Sequence, residues 1–172
     1  QQVLEFYFSK MREPKFEDIV IEKKQLLEEK ACCFVTLSLN GEIRGSAGNI
    51  KEIQASLAQE IYTNTLEALI RDKRFPPLTL DEAQNIKYRC DKISERKMIS
   101  EAEMKLLDPL SFGVIVIKRD YEKLAVILPN MSAKLITGED FISVLLKKLG
   151  EKKFNEKDYI IYQISTEVEN NY

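Results

Sequence analysis

Asn40-Gly41 is the feature that most restricts what this chain can become. It follows the alternating run Ala31–Leu39 (A-C-C-F-V-T-L-S-L) and precedes Glu42-Ile43-Arg44. Asn-Gly between two strand-like runs predicts a tight hairpin, because both turn positions require positive φ and these residues tolerate it. The return strand then meets Gly45-Ser46-Ala47-Gly48, where regular pairing is expected to break.

The remaining pattern alternates helices with strands. Val3, Leu4, Tyr7, Phe8 and Met11 fall at helical spacing over Gln2 to Met11, and Pro14 ends that segment. A short amphipathic helix is expected over Glu22 to Lys30 with Leu26 and Leu27 inward. Ser56 to Arg71 reads as the best helix, capped by Ser56 and carrying a broad apolar stripe from Leu57 to Ile70. Pro76-Pro77 force an extended segment, and Thr79 to Glu82 is a capping-box pattern. Ile86 to Ile93 reads as a strand whose Lys87, Arg89 and Asp91 form a solvated face, and Glu95 to Asp108 as mixed loop and helix. Strands are expected over Phe112 to Lys118 and Lys123 to Leu128. A helix is expected from Thr137 to a stop at Gly150, and a last strand over Tyr159 to Val168 with Ile160, Tyr162, Ile164 and Val168 on one face. Hairpins together with intervening helices argue for an α+β fold with antiparallel sheet.

Composition excludes more than it selects. There is no histidine among the 172 residues, which removes every His-based triad, imidazole shuttle and His-ligated metal site. No ligand spacing for a metal is present, and no cofactor is expected. Twenty-six Lys and Arg against 28 Asp and Glu leave a net charge of −2, which argues against a dedicated nucleic-acid binder. No apolar run reaches the ~18 residues that span a bilayer. Three cysteines, Cys32, Cys33 and Cys90, form no CxxC pair, and Cys33 shares the apolar parity of Val35 and Leu37, so a reduced, cytoplasmic protein is expected. The length suits one domain over residues 1–172. Without an initiator Met, the chain would be a processed protein or the C-terminal part of a longer fused one.

Two short segments concentrate the candidate chemistry. In Arg44-Gly45-Ser46-Ala47-Gly48 a guanidinium fork, a hydroxyl and backbone N–H groups could converge on a carboxylate or phosphate. It is neither a Walker loop nor a dinucleotide fingerprint. The plainer alternative is a Gly-rich turn or bulge, with Arg44 paired to a neighbouring carboxylate. Ser46 lacks a histidine base, and only Lys51 or Lys73 could serve as a dyad partner. In Arg74-Phe75-Pro76-Pro77, Arg74 supplies a bidentate charge and Phe75 an anchor, or else the segment is a stiff helix exit with Phe75 packed inward. Glu42, Glu60 and Asp72 could in principle pair as acid and base or offer oxygen ligands, but no spacing marks them. Lysines and arginines at Lys87, Arg89, Lys92, Arg96 and Lys97, and at Lys147, Lys148, Lys152 and Lys153, are interleaved with acids and read as a charge-mixed surface.

Several strings occur in order: Cys33-Phe-Val-Thr-Leu through Asn40-Gly41, Ile43-Arg44-Gly45-Ser46, Gly48, Ser56-Leu57-Ala58, Arg74-Phe75-Pro76-Pro77-Leu78-Thr79 and Ile127-Leu128-Pro129. Together they resemble the AMMECR domain family, also known as system protein A of the AmmeMemoRadiSam set, whose pattern is FVTL, G-x-L-R-G-C-I-G, S-L-A, R-F-P-P-L-T and L-L-P. The resemblance implies an α+β fold with a larger and a smaller lobe and a cleft near the Arg-Gly motif. It also implies two partners, a Memo-like protein similar to extradiol dioxygenases and a radical SAM protein. Ser46 and Ala47 stand where the family has Cys and Ile, Phe112 where it often has His, and Lys148-Leu149-Gly150 where it has Lys-Ala-Gly-Leu. A thiol nucleophile or a histidine acid/base is therefore not expected here.

The leading expectation is an accessory protein that holds a small anionic ligand with Arg44, Gly45, Ser46, Gly48, Arg74 and Phe75. Two others stand beside it: a small His-independent enzyme, and a nucleic-acid-binding module using the Lys/Arg stretches.

Overall fold

The structure is a computed structural model describing residues 1–172. Its helices are α1 (Gln2–Lys10), α2 (Gln25–Glu28), α3 (Leu57–Leu66), α4 (Leu80–Ala83), α5 (Glu101–Lys105) and α6 (Asp140–Leu149). Its strands are β1 (Cys33–Leu39), β2 (Glu42–Gly48), β3 (Lys87–Ile99), β4 (Gly113–Lys118), β5 (Leu124–Ile127) and β6 (Tyr159–Asn170). One six-stranded sheet runs in the order β2-β1-β3-β6-β4-β5, and the fold is α+β. The chain divides into two compact units, residues 1–92 with 168–172 and residues 93–167. No helix is long and apolar enough to cross a membrane.

Local signals act where expected. Asn40 and Gly41 take φ of 53° and 83° and close β1 onto β2. Ser56 caps α3 by accepting from the Gln59 amide, and Thr79–Glu82 form a reciprocal capping box. Gly150 ends α6 in the left-handed region at φ 66°.

Other elements differ from the sequence expectation. The second helix shrinks to Gln25–Glu28, and Leu27 is exposed rather than inward. The long helix is α-helical only to Leu66 and widens into a π turn over Glu67–Arg71. Pairing does not break at Gly45–Gly48. Leu37 faces Gly45, Thr36 faces Ser46, Val35 faces Ala47 and Phe34 faces Gly48. The irregularity lies earlier: Ser38 faces Ile43 and Leu37 faces Gly45, so Arg44 is the extra residue of a β-bulge. The third strand continues to Ile99. In β6 the buried positions are Tyr159 and Ile161, with Ile164 buried on the opposite face and Val168 exposed, so the expected Ile160–Val168 stripe is not the core face.

In the first unit Val35 and Leu37 of β1 and Ala47 of β2 pack on Leu66, Ala68 and Leu69, joined by Val3 and Leu4 of α1. In the second, Val114, Val116, Ala125, Ile127 and Ile161 pack on Phe141, Leu145 and Leu149 of α6. Each fully buried valine, leucine, isoleucine or phenylalanine among them contributes roughly 1.5–3 kcal/mol of transfer free energy. Cys33 is wholly buried beside Leu57, as its parity predicts, and a hydrogen bond with Cys90, then burial, push its thiol pKa up.

The opposite face of β1–β3 is polar and still closed to solvent. Arg89 and Asp91, expected on a solvated face, are 7% and 0% exposed. Arg89 donates to Asp91 through Nε (2.8 Å) and Nη2 (2.7 Å). Thr36, the cross-strand partner of Arg89, is buried beside them. Burial without pairing would cost each charge heavily, so the strand's polar parity must be read as an internal ion pair.

Candidate functional site

The candidate residues gather along β2, which lies at one edge of the sheet. An edge strand presents unpaired backbone groups, and here side chains cover them. Asp72, just after the π turn, accepts the outward amide of Ser46 at 2.9 Å. The same carboxylate accepts the Arg74 amide (3.1 Å), Arg74 Nε (2.9 Å) and Arg74 Nη2 (2.6 Å). Arg74 Nη2 also donates to Ser46 Oγ at 2.6 Å. Ser46, Asp72 and Arg74 therefore form a closed ring of hydrogen bonds. Bonding to Arg74 first, then to the two amides, holds the Asp72 carboxyl at about 2 despite its burial.

Arg44 takes the plainer of the two arrangements its sequence allows, a bulge residue paired with a carboxylate. Its Nε and Nη2 form a bidentate pair with Glu82 (2.6 and 3.0 Å), and Nη1 donates to the Pro76 carbonyl at 3.0 Å. Its side chain is only 12% exposed. The bulge aims it along the strap that follows α3 rather than outward. Glu82 is fixed from the other side by the Thr79 amide and hydroxyl (2.8 and 2.9 Å), and Arg44 is the main reason its carboxyl lies at about 2. Arg44 thus ties the Pro76-Pro77 arm to β2.

The two glycines have packing reasons. A Cβ on Gly45 would sit 2.1 Å from the Ala68 carbonyl oxygen, so only glycine lets β2 lie on the π turn. A Cβ on Gly48 would strike the Phe34 ring at 2.2 Å. Neither has the positive φ that would mark an amide-lined loop.

Arg74 is the group that faces solvent, with 55% of its side chain exposed. Its Nη1 makes no internal bond. Its Cζ lies 5.4 Å from the centroid of the Phe75 ring, and that of Arg44 lies 5.7 Å from it. Phe75, half-buried, is the floor on which both guanidinium groups rest. The hydroxyl of Ser46 meets Arg74 and no lysine or carboxylate, so no general base activates it.

The carboxylates considered from sequence serve separate tasks. Glu60, 0% exposed, accepts the amides of Ile53 (2.5 Å) and Gln54 (2.8 Å) and the Asn49 side chain (2.8 Å), pinning the loop after β2. Asp72 belongs to the ring with Ser46. No cluster of three or more His, Cys, Asp or Glu is arranged to hold a metal ion. Sequence reasoning missed the Glu82 and Asp72 partners of the two arginines. The capping box marked Glu82, yet nothing local pointed it at Arg44.

Comparison with known proteins places this architecture. Residues 1–168 match the AMMECR1 family model, so the chain belongs to the AMMECR1 family. A protein of Thermotoga maritima is 31% identical over 145 residues, covering 84% of this chain and 80% of that protein. One of Clostridium acetobutylicum is 31% identical over 125 residues, covering 73% of this chain but 25% of that much longer protein. One of Methanosarcina mazei is 26% identical over 153 residues, 87% of this chain and 76% of that protein. The crystal structure of an uncharacterized protein from Pyrococcus horikoshii shares the fold, with a TM-score of 0.78 at 21% identity over 97% of this chain and 84% of that one.

Proposed function

We propose that this chain is a binding protein that presents Arg74 to a small anionic group, and that it works as an accessory to the Memo-like and radical SAM partners implied by its family resemblance. One observation carries the ligand reading. Arg74 is locked by Asp72 and Ser46 through Nε and Nη2, while its Nη1 makes no internal bond and its half-exposed guanidinium lies against the Phe75 ring. A prepositioned guanidinium loses little entropy on meeting a carboxylate or phosphate. The Asp72 charge opposes the incoming anion, so affinity is modest and falls with salt.

Of the six residues expected to bind, this reading keeps Arg74, Ser46 and Phe75 at the ligand and gives Arg44, Gly45 and Gly48 supporting roles. The Ser46 amide is already occupied by Asp72 and is not a ligand donor.

Titration with inorganic phosphate or citrate, followed by amide NMR shifts, tests it. Shifts are expected at Ser46, Arg74 and Phe75 and are lost in Arg74→Ala. Absence of shifts there at low salt, or their persistence in Arg74→Ala, overturns the ligand reading. The partner reading is overturned if Arg74→Ala, folded normally, engages a Memo-like protein unchanged.

A further inference from the structure

The second unit carries a basic end that the site above does not use. Four lysines, Lys147, Lys148, Lys152 and Lys153, fall within seven residues around the end of α6, against one carboxylate, Glu151. All four are exposed. In sequence the interleaved acids cancel them; in the structure Glu151, the one acid within the run, is paired with lysines of another segment. Glu151 accepts Lys123 Nζ at 2.8 Å and lies 3.8 Å from Lys118 Nζ. Glu156 accepts the Glu101 amide, and Asp120 pairs with Lys118. Glu122 of the β4–β5 turn, and Glu156 and Asp158 before β6, remain as exposed carboxylates.

Lys147 and Lys148 have an ordinary role, since cations stabilise the end of a helix. Lys152 and Lys153 lie beyond it and form no ion pair. Glu151, next in sequence to Lys152, joins this end to Lys118 and Lys123, and on the turn between those two lysines Tyr121 holds a left-handed φ of 62° with the residue 75% exposed. A tyrosine at positive φ is costly, and here it leaves an aromatic ring in water. Arg119, exposed on the same turn, is anchored by Nε to the Lys157 carbonyl at 2.9 Å.

The geometry points to a contact surface for single-stranded nucleic acid at this end, in which Lys147, Lys152, Lys153 and Arg119 meet phosphates and a base stacks on Tyr121. Exposed cations flanking a free ring are the two elements that such binding combines. An acidic polypeptide would use the charges and have no need of the ring.

Fluorescence anisotropy with labelled 15-mers of thymidine and of uridine, with polyglutamate as competitor, tests this on the whole chain. Binding is expected at about 50 mM salt, weakening on the order of thirtyfold by about 200 mM. Lys152→Glu/Lys153→Glu should lose at least about tenfold and flatten the salt dependence. Tyr121→Asn keeps a residue that tolerates the left-handed backbone, and should cost about five- to tenfold with the salt slope unchanged. A preference for one oligomer assigns DNA or RNA and supports the proposal equally. Unaltered thermal melting of the variants shows that folding is intact. No binding at low salt overturns the proposal, as does binding insensitive to the lysine pair. Binding unchanged in Tyr121→Asn and displaced fully by polyglutamate also overturns it, and assigns the surface to an acidic polypeptide.

Discussion

The amide of Ser46 and the carboxylate of Asp72, 26 residues apart, meet at 2.9 Å on the edge of the sheet. That contact blunts the edge strand and orients Arg74 at once. It also makes stability depend on acid. Asp72 sits at about 2 in the fold against an ordinary 3.8, so its contribution is present above about pH 4 and lost as pH falls through about 2. The half-exposed Arg74 partner discounts the effect to about 1–2 kcal/mol. Urea unfolding at pH 7 and near pH 2 should show this loss in the parent protein and a smaller one in Asp72→Asn.

Arg44 is a structural clamp in this reading. Arg44→Ala leaves Glu82 and the Pro76 carbonyl without their partner and should cost about 2–3 kcal/mol. Arg44→Lys restores the charge but not the two-pronged geometry and should recover less than half. Denaturant melts of these variants and of Glu82→Gln, combined in a double-mutant cycle, measure the coupling. Near-additive single and double losses would remove the clamp.

Among the glycines, Gly45→Ala should be the most damaging. Its Cβ would fall 2.1 Å from a backbone oxygen that cannot move aside, for a loss of about 3 kcal/mol. Gly41→Ala has open space but a φ of 83°, and should lose about 1 kcal/mol. Equal midpoints for the two in urea would refute the packing account of Gly45.

The Arg89–Asp91 pair predicts a large asymmetric loss. Asp91→Ala takes the paired carboxylate from a guanidinium that is 7% exposed and should cost about 3–5 kcal/mol. Arg89→Met with Asp91→Leu removes both charges and should cost clearly less than Asp91→Ala. Thermal unfolding of the two variants decides it.

One stabilising change follows from α1. Met11 ends the helix at φ 52° while 71% exposed. Met11→Gly relieves the left-handed strain and should add about 0.5–1 kcal/mol, or about 1–4 °C in Tm. A lower Tm would show that the Met11 side chain packs to some purpose.

What the sequence by itself determined was local. Asn40-Gly41 set the hairpin, Ser56 and Thr79 set helix starts, Gly150 set a stop, and the parity of Val35 and Leu37 placed Cys33 in the core. Each depends on backbone geometry or neighbours within a few residues. What only the tertiary structure decided was the fate of the charges. Arg44 meets Glu82 38 residues away, and Arg74 meets Ser46 across 28. Arg89 and Asp91 alternate like a wet strand face, but they pair with each other inside. A charged side chain looks the same in sequence whether it is solvated or paired. Only packing against distant segments removes the water and selects its partner, which is why Arg44 became a clamp and Arg74 was left facing outward.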